Sequence, residues 1–228
     1  MRLMITLLCT LFATELVAQE AKPGTYLGRR IAYTMHFKGA PWLIRGSRET
    51  EESTSEMIKA LNVTPGMIIC DLGCGNGYHT LTLADLVGKE GTVYAVDIQQ
   101  EMLEMLEVRR KAAGTPEGII KPILSTQTDS KLPKGKVDLL LLVDVYHEFS
   151  HPVEMLAEIR KCLKPDGRVA LVEFRLEDPK VPIKLDHKMS KEQCINEYKA
   201  NGFKLVDSYD ELPWQHLLFF GIDDTWQK

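Results

Sequence analysis

Short apolar runs alternate with helically spaced apolar residues over most of the chain after residue 67. Five apolar runs predict strands, at residues 67–72, 92–96, 119–124, 137–143 and 168–174. Apolar residues at helical spacing predict helices at residues 78–87, 99–113 and 152–163, with Gly114 placed to end the second helix. Strands and helices that alternate in this way favour an α/β fold built on a parallel sheet.

The last quarter of the chain departs from this alternation. Ser190 and Gln193 form a capping-box pattern, which predicts a helix that ends before Gly202. Apolar residues then predict strands at residues 203–209 and 216–221. Because the link between these two strands is short, we expect them to pair antiparallel as a C-terminal hairpin.

The N-terminal segment has its own organisation. Residues 1–18 begin with Met-Arg, continue as an apolar run and end in small and polar residues, which predicts a secretory signal peptide. We therefore expect export to the periplasm or the medium, without stable membrane insertion after cleavage. A mis-assigned start codon would instead leave the protein in the cytoplasm. Residues 19–52 are interpreted as an extension that caps the substrate side, with a loop at residues 39–47.

The remaining composition bounds the possible functions. With 228 residues and 44% hydrophobic content, the chain can bury one sizeable core, and residues 53–222 are expected to form one domain. A helix is expected over residues 50–61. The net charge of -4, without any long basic run, gives no phosphate-tracking surface. Nucleic acid is therefore not an expected partner.

The string HEFSH, residues 147–151, matches the zinc-protease pattern H-E-x-x-H. That mechanism needs both histidines one turn apart on a continuous helix. Pro152 disfavours helical backbone at His151 and is itself favoured at the start of a new helix. No third ligand stands at a recognisable spacing, so no residue is assigned to a metal, and a zinc hydrolase stays only as an alternative.

A glycine-rich turn follows the first predicted strand, in the segment MIICDLGCGNGYHT. Gly73, Gly75 and Gly77 permit a tight turn and a close approach of backbone to a ligand. Asp71, two residues before this turn, would repel a dinucleotide pyrophosphate and attract a sulfonium. Asp97 ends the next strand, where an acid can accept ribose hydroxyls. A nicotinamide-dependent oxidoreductase therefore stays an alternative to a protein that binds a sulfonium cofactor.

Four segments resemble motifs of the class I S-adenosylmethionine-dependent methyltransferases: ICDLGCGNGYHT, VYAVDIQQEML, VDLLLLVDVYHEF and KPDGRVALVEF. The resemblance covers residues 53–221 and is nearest to the branch that acts on small molecules, including quinones and arsenite. It implies a Rossmann-like α/β fold with a seven-stranded, mostly parallel sheet, helices on both faces and an antiparallel C-terminal hairpin. It also implies S-adenosylmethionine as the cofactor. That cofactor conflicts with export, because it is made in the cytosol.

The resemblance implies a set of cofactor contacts. These are Asp71, Gly73, Gly75 and Gly77 around the methionine part, Asp97 and Ile98 at the ribose and adenine, Asp129 at the adenine amine, and Asp144 near the amino group. A noncatalytic protein that only binds the cofactor stays a further alternative. The oligomeric state has no signal in the sequence.

Acceptor-side residues are expected at the carboxyl ends of strands, where open α/β sheets place their ligands. His147 is the leading candidate for a catalytic base, with Glu148 or Glu173 orienting it or contacting the acceptor. The substrate-side candidates are Trp42, Arg45, Tyr146 and His187. We therefore expect a methyltransferase that acts on a small-molecule acceptor, with packing or capping as the alternative role of His147 and Glu148.

Overall fold

A computed structural model describes residues 24–227. Its strands are β1 Thr25–Tyr26, β2 Arg29–Arg30, β3 Ile68–Leu72, β4 Thr92–Asp97, β5 Ile120–Leu124, β6 Val137–Val143, β7 Leu163–Arg175, β8 Lys188–Met189, β9 Phe203–Tyr209 and β10 Gln215–Ile222. Its α-helices are α1 Arg48–Glu52, α2 Thr54–Ala60, α3 Tyr78–Val87, α4 Gln100–Ala113, α5 Pro152–Cys162 and α6 Lys191–Ala200. Three 3₁₀ helices lie at Phe37–Ile44, Tyr146–Glu148 and Leu185–His187.

Seven strands form the main sheet in the order β5-β4-β3-β6-β7-β10-β9. The first five of these pair parallel, whereas β10 pairs antiparallel with both β7 and β9. This arrangement confirms the predicted Rossmann-like α/β fold and its antiparallel C-terminal hairpin. The two-residue strand β8 adds to the edge of β7, and its run is too short for a strand pattern to reveal.

Side chains alternate between two cores on opposite faces of the sheet. On β6, Leu139 and Leu141 pack in one core with α2 and α3, while Leu140 and Leu142 pack in the other with α5 and α6. All four leucines are fully buried. A strand covered on both faces has no polar side to show, which explains the unbroken apolar run in its sequence.

The helix expected over residues 50–61 is divided in two at Ser53. The backbone of Ser53 is left-handed, with φ of 48°, and its N–H donates to Glu49 O at 2.9 Å, which closes α1. The Ser53 carbonyl then accepts from Met57 N at 3.0 Å and begins α2. The loop expected at residues 39–47 is largely the 3₁₀ helix Phe37–Ile44. Helical propensity alone did not reveal this break.

At the other end of the chain, the capping box forms by half. Ser190 Oγ accepts from Gln193 N at 3.0 Å, as the pattern predicts. The Gln193 side chain instead donates to Leu27 O at 3.1 Å and to Glu197 Oε1 at 2.8 Å. Gln193 therefore ties α6 to the β1–β2 hairpin.

The expected signal peptide at residues 1–18 lies outside the described residues. Within residues 24–227, no helix has both the length and the apolar character to cross a bilayer.

Candidate functional site

A cavity of about 420 Å³ lies at the carboxyl ends of the parallel strands. Its walls come from the glycine turn after β3, the turn after β4, the loop after β6 and residues 182–187. Residues 34–43 of the N-terminal extension cover it from the other side. The site therefore lies where ligands bind in open α/β sheets, and the extension supplies part of its wall.

Two glycines of the turn line the cavity with left-handed backbone, Gly73 with φ of 77° and Gly75 with φ of 52°. A Cβ on Gly73 would stand 2.4 Å from Val145 Cγ2, and one on Gly75 would stand 2.6 Å from Leu43 Cδ1. Neither position has room for a side chain. Gly77 does not line the cavity and instead begins α3.

Asp97 lines the cavity at the end of β4 and is 7% exposed. Its Oδ2 accepts from Gly75 N at 2.9 Å and its Oδ1 accepts from Gln99 N at 2.9 Å. Burial raises the pKa of Asp97, although these backbone hydrogen bonds oppose the shift. The neighbouring Ile98 is partly exposed at the cavity wall. The carboxylate is therefore held rigidly, with one lone pair left on each oxygen.

Asp71 lies beneath the glycine turn rather than at the cavity surface, and it is 3% exposed. Thr80 Oγ1 donates to its Oδ2 at 2.6 Å. Burial raises the pKa of Asp71 to about 6, and the nearby Asp97 carboxylate adds to the effect. The residue acts on the cavity through its charge and through the turn that it supports.

Asp144 follows β6 with left-handed backbone, at φ of 53°. Gln215 Nε2 donates to its Oδ2 at 2.7 Å, whereas its buried Oδ1 has no partner among the described residues. Burial raises the pKa of Asp144 well above its ordinary value, and the carboxylates of Glu52 and Glu173 add to this. Asp144 therefore combines strained backbone with a carboxylate oxygen that is free to bind a ligand in the cavity.

The N-terminal cover is attached to the site by two side chains. The Gln99 amide donates to Met35 O at 2.9 Å and accepts from Phe37 N at 2.8 Å. Glu148 Oε1 accepts from Met35 N at 3.1 Å. Gln99 was missing from the sequence prediction, although its position two residues after Asp97 marks the same turn.

Two arginines of the extension have different roles. Arg45 donates to Glu51 at 2.7 Å, also pairs with Glu52, and its guanidinium lies 3.7 Å from the ring centroid of Trp42. Trp42 lines the cavity mouth at 44% exposure, but Arg45 itself is not in the wall. Arg48 does lie in the cavity wall, and its Nε donates to the buried Glu52 at 2.8 Å.

His147, in the cavity wall, forms a buried pair with Glu173. Their Nδ1 and Oε2 atoms are 2.6 Å apart, and Glu173 Oε1 also accepts from His147 N at 3.1 Å. The Nε2 atom of His147 has no hydrogen-bond partner among the described residues. Although burial opposes the charged ring, the Glu173 carboxylate raises the pKa of His147. Glu173 therefore positions the imidazole, and His147 lines the wall.

Glu148 and His187 lie beside this pair. Burial raises the pKa of Glu148 to about 7. The rings of His187 and His147 have centroids 5.1 Å apart, and Asp186 Oδ1 lies 2.9 Å from His187 Nδ1. Both residues line the cavity, so the structure brings three of the predicted acceptor-side residues together.

Besides Asp71, Gly77 and Glu173, three more sequence candidates are not in the cavity wall. Tyr146 is fully buried in the core that contains α5 and α6, where its hydroxyl donates to Glu197 at 2.7 Å. Asp129 faces solvent, where its Oδ1 accepts from Lys131 N at 2.8 Å. Arg45 is held by its glutamates, as described above. A loop has no fixed side-chain period, so the sequence could not tell that His147 rather than Tyr146 lines the cavity.

HEFSH does not build the metal site that its letters suggest. His147 and Glu148 lie in a 3₁₀ helix, while His151 directly precedes α5 and is exposed. Its Nδ1 lies 2.9 Å from Ser150 Oγ. The two histidines are therefore not one turn apart on a continuous helix, in agreement with the effect expected of Pro152.

Comparison with known proteins identifies the family. Residues 63–218 match the methyltransferase domain family model. The ubiquinone/menaquinone biosynthesis C-methyltransferase of Burkholderia cenocepacia is 28% identical over 167 residues, which cover 68% of this chain and 67% of that protein. An uncharacterized 37.1 kDa protein in transposon TN4556 of Streptomyces fradiae is 34% identical over 119 residues, 52% of this chain but only 33% of that one.

A solved structure has the same fold. The S-adenosylmethionine-dependent methyltransferase from Aquifex aeolicus superposes with a TM-score of 0.77 at 21% identity, and the match covers 83% of this chain and 100% of that one. The two chains therefore share the α/β fold described above. The chain belongs to the methyltransferase domain family.

Proposed function

We propose that the protein transfers a methyl group from S-adenosylmethionine to a small molecule bound in the cavity. One observation carries the proposal: a single cavity is lined by the glycine turn and Asp97 and also by His147 and Glu148. The first group has the features of a cofactor site, and the second has the polar groups that an acceptor needs.

The residues present fit this cofactor. Gly73 and Gly75 expose backbone that no side chain could cover, and Asp97 and Asp144 retain lone pairs at the wall. Burial raises the pKa of Asp97 and Asp144, and the positive charge of a sulfonium and an ammonium would stabilise their ionised forms. The pyrophosphate of a dinucleotide would instead add negative charge. The same charges therefore disfavour a nicotinamide cofactor.

Individual contacts follow from the placement of the side chains. Asp97 would accept the two ribose hydroxyls, Ile98 would pack on the adenine, and the free Oδ1 of Asp144 would accept from the ammonium. Ser125 and Thr126, which line the cavity after β5, replace Asp129 at the adenine end. The buried Ser125 hydroxyl has no partner among the described residues and is available to a ligand.

At the other end, the chain would prepare the acceptor for attack. When bound, S-adenosylmethionine supplies a methyl carbon that the attacking atom of the acceptor displaces from sulfur. His147 Nε2 would accept a proton or hydrogen bond from that attacking atom, because Glu173 holds the opposite ring nitrogen. Trp42 and His187 would enclose the acceptor, and the N-terminal cover would exclude water.

The size of the site supports a small acceptor. A cavity of about 420 Å³, partly filled by the cofactor, leaves room for a compact molecule rather than a macromolecular segment. The named relative from Burkholderia cenocepacia is a biosynthetic C-methyltransferase, which supports the same class. The identity between the two chains, 28%, is too low to transfer its substrate.

Calorimetry and a transfer assay would test the proposal. We expect S-adenosylhomocysteine to bind with one site per chain and NAD to show no binding under the same conditions. Incubation with methyl-labelled cofactor and fractionated small-molecule extracts should then label a compound of low mass. Binding of NAD in place of S-adenosylhomocysteine would overturn the cofactor assignment. Cofactor binding without transfer to any fraction would favour a noncatalytic binding protein.

A further inference from the structure

We propose that His147, Glu148 and His187 form a binding site for a divalent transition-metal ion at the acceptor end of the cavity. One ligand atom from each residue lies within 4.8 Å of the other two. Bonds from zinc to nitrogen and oxygen ligands are about 2.0–2.2 Å, so shifts of under about 1 Å per side chain would bring all three onto one ion.

The outer nitrogens of both imidazoles are already engaged. Glu173 Oε2 lies 2.6 Å from His147 Nδ1, and Asp186 Oδ1 lies 2.9 Å from His187 Nδ1. A carboxylate that accepts from Nδ1–H leaves the lone pair on Nε2. Metal-binding histidines are oriented by carboxylates in this way. Two neighbouring histidines that have the same arrangement and line the same cavity point to a shared ligand.

Within the described residues, nothing else satisfies the His147 ring. Its Nε2 is buried and has no hydrogen-bond partner, and Glu148 Oε1 is too distant, at 3.9 Å. Buried polar atoms are rarely left unpaired. Only one carboxylate oxygen of Glu148 accepts a hydrogen bond within the described residues, from Met35 N at 3.1 Å. Its side chain is 9% exposed, so a carboxylate is held at the edge of the cluster.

The donor set indicates the class of ion. Two imidazoles and one carboxylate suit zinc, iron, cobalt or manganese, whereas calcium and magnesium prefer oxygen ligands throughout. Three carboxylates, Glu148, Glu173 and Asp186, surround the two rings and favour a cation at their centre. Three protein ligands also leave coordination positions open toward the cavity.

A bound ion would deepen the proposed function, on which this step rests. An acceptor hydroxyl or thiol coordinated at an open position would lose its proton more readily, because the metal lowers the pKa of a bound group. The proton would leave to solvent, and His147 would serve as a ligand instead of a base. The acceptor would then be a molecule whose attacking oxygen or sulfur binds metal.

Titration of the chelator-treated full chain with Zn²⁺ and Co²⁺ would test the site. We expect one ion per chain by calorimetry and visible ligand-field bands with Co²⁺. His187→Ala and Glu148→Gln should each weaken Zn²⁺ binding by at least tenfold. Glu173→Gln should weaken it by about tenfold through loss of orientation. His151→Ala is the matched control within HEFSH and should bind Zn²⁺ like the parent chain.

Two results would overturn the inference. One is the absence of stoichiometric Zn²⁺ and Co²⁺ binding to a chain that still binds S-adenosylhomocysteine. The other is retained binding in His187→Ala, or loss in His151→Ala. Failure to bind S-adenosylhomocysteine would count against the proposed function instead, because none of the three metal ligands is among the proposed cofactor contacts. His187 is partly exposed, so its substitution should leave the fold intact.

Discussion

Glu173 and His147 make two hydrogen bonds to each other, one through the imidazole at 2.6 Å and one through the His147 backbone N–H at 3.1 Å. The two residues come from different elements, since Glu173 lies on β7 and His147 lies in the 3₁₀ helix after β6. Both are almost completely buried. The bond to the backbone fixes the main chain of the loop, and the bond to Nδ1 fixes the ring, so a single carboxylate determines which nitrogen faces the cavity.

Glu173→Gln should lower turnover by about 10²-fold, because an amide can donate to Nδ1 and reverse the tautomer. The acceptor KM and the affinity for S-adenosylhomocysteine should change little, since Glu173 touches neither ligand. Steady-state kinetics and calorimetry would measure the split. Glu177→Gln is a matched control, because Glu177 Oε2 lies 2.9 Å from His216 Nε2 and neither residue lines the cavity. Equal losses in both variants would refute the positioning role.

Gly73→Ala should destabilise the fold by about 1–3 kcal/mol more than Gly118→Ala, as measured by denaturant unfolding. Both glycines have left-handed backbone, with φ of 77° and 90°, so both substitutions carry conformational strain. Only Gly73 meets a neighbour, since its Cβ would stand 2.4 Å from Val145, whereas Gly118 faces open space. Similar losses would mean that Val145 yields and that the turn is not tightly packed.

Asp97→Asn should weaken S-adenosylhomocysteine binding by at least tenfold in calorimetry. The amide would present a donor to Gly75 N or to Gln99 N, both of which now donate to the carboxylate. Asp129→Asn serves as the control, because Asp129 lies outside the cavity wall. A loss of affinity in Asp129→Asn would restore that residue to the cofactor site.

Asp71 should make stability depend on pH. Its pKa is raised from 3.8 to about 6 in the folded state, so the folded chain holds this proton more tightly than the unfolded chain. The resulting contribution is complete below about pH 4 and is lost as the pH rises through 6. Between about pH 4 and pH 7, the free energy of unfolding should therefore fall relative to Asp71→Asn by up to roughly 3 kcal/mol.

Denaturant titrations across this range would measure the difference between the two chains. Thr80→Val offers a second test, because Thr80 donates to Asp71 at 2.6 Å and opposes the shift. Its loss should move the fall in stability to higher pH. A difference between parent and Asp71→Asn that does not vary with pH would exclude the raised pKa.

Tyr146→Phe should cost about 1–2 kcal/mol of stability and leave cofactor affinity unchanged. Its hydroxyl donates to the buried Glu197 at 2.7 Å, and Tyr146 does not line the cavity. Tyr198→Phe provides a matched comparison, since the buried Tyr198 hydroxyl has no partner among the described residues. That variant should be neutral or slightly stabilised in thermal unfolding. Reduced cofactor binding in Tyr146→Phe would contradict the structural role.

Much of the fold could be predicted from the sequence because its strands are covered on both faces. The predicted bounds of β6 and α3 agree with the structure at every residue, since apolar period and length leave few alternatives there. The carboxyl-end rule also predicted that His147, Glu148 and Glu173 gather near one site. That rule works because it depends only on strand direction.

The remaining parts of the site depend on irregular segments, for which the sequence has no period. Arg45 and Arg48 are three residues apart and both have glutamates within reach, so nothing local tells which one reaches the cavity. The approach of His187 to His147 depends on the path of residues 176–187, which are mostly irregular. Gln99 becomes important only once the N-terminal extension lies across it.

The attachment of that extension limits what a shortened chain could do. A chain that began at residue 53 would keep every strand of the seven-stranded path. It would lose Met35 and Phe37, which are the hydrogen-bond partners of the Gln99 side-chain amide. Glu148 Oε1 would also lose its partner, the N–H of Met35. The segment that defines the family, residues 63–218, is therefore a scaffold with one wall missing. Selectivity for the acceptor can then diverge through residues 24–62, which lie outside the matched segment, while the sheet stays the same.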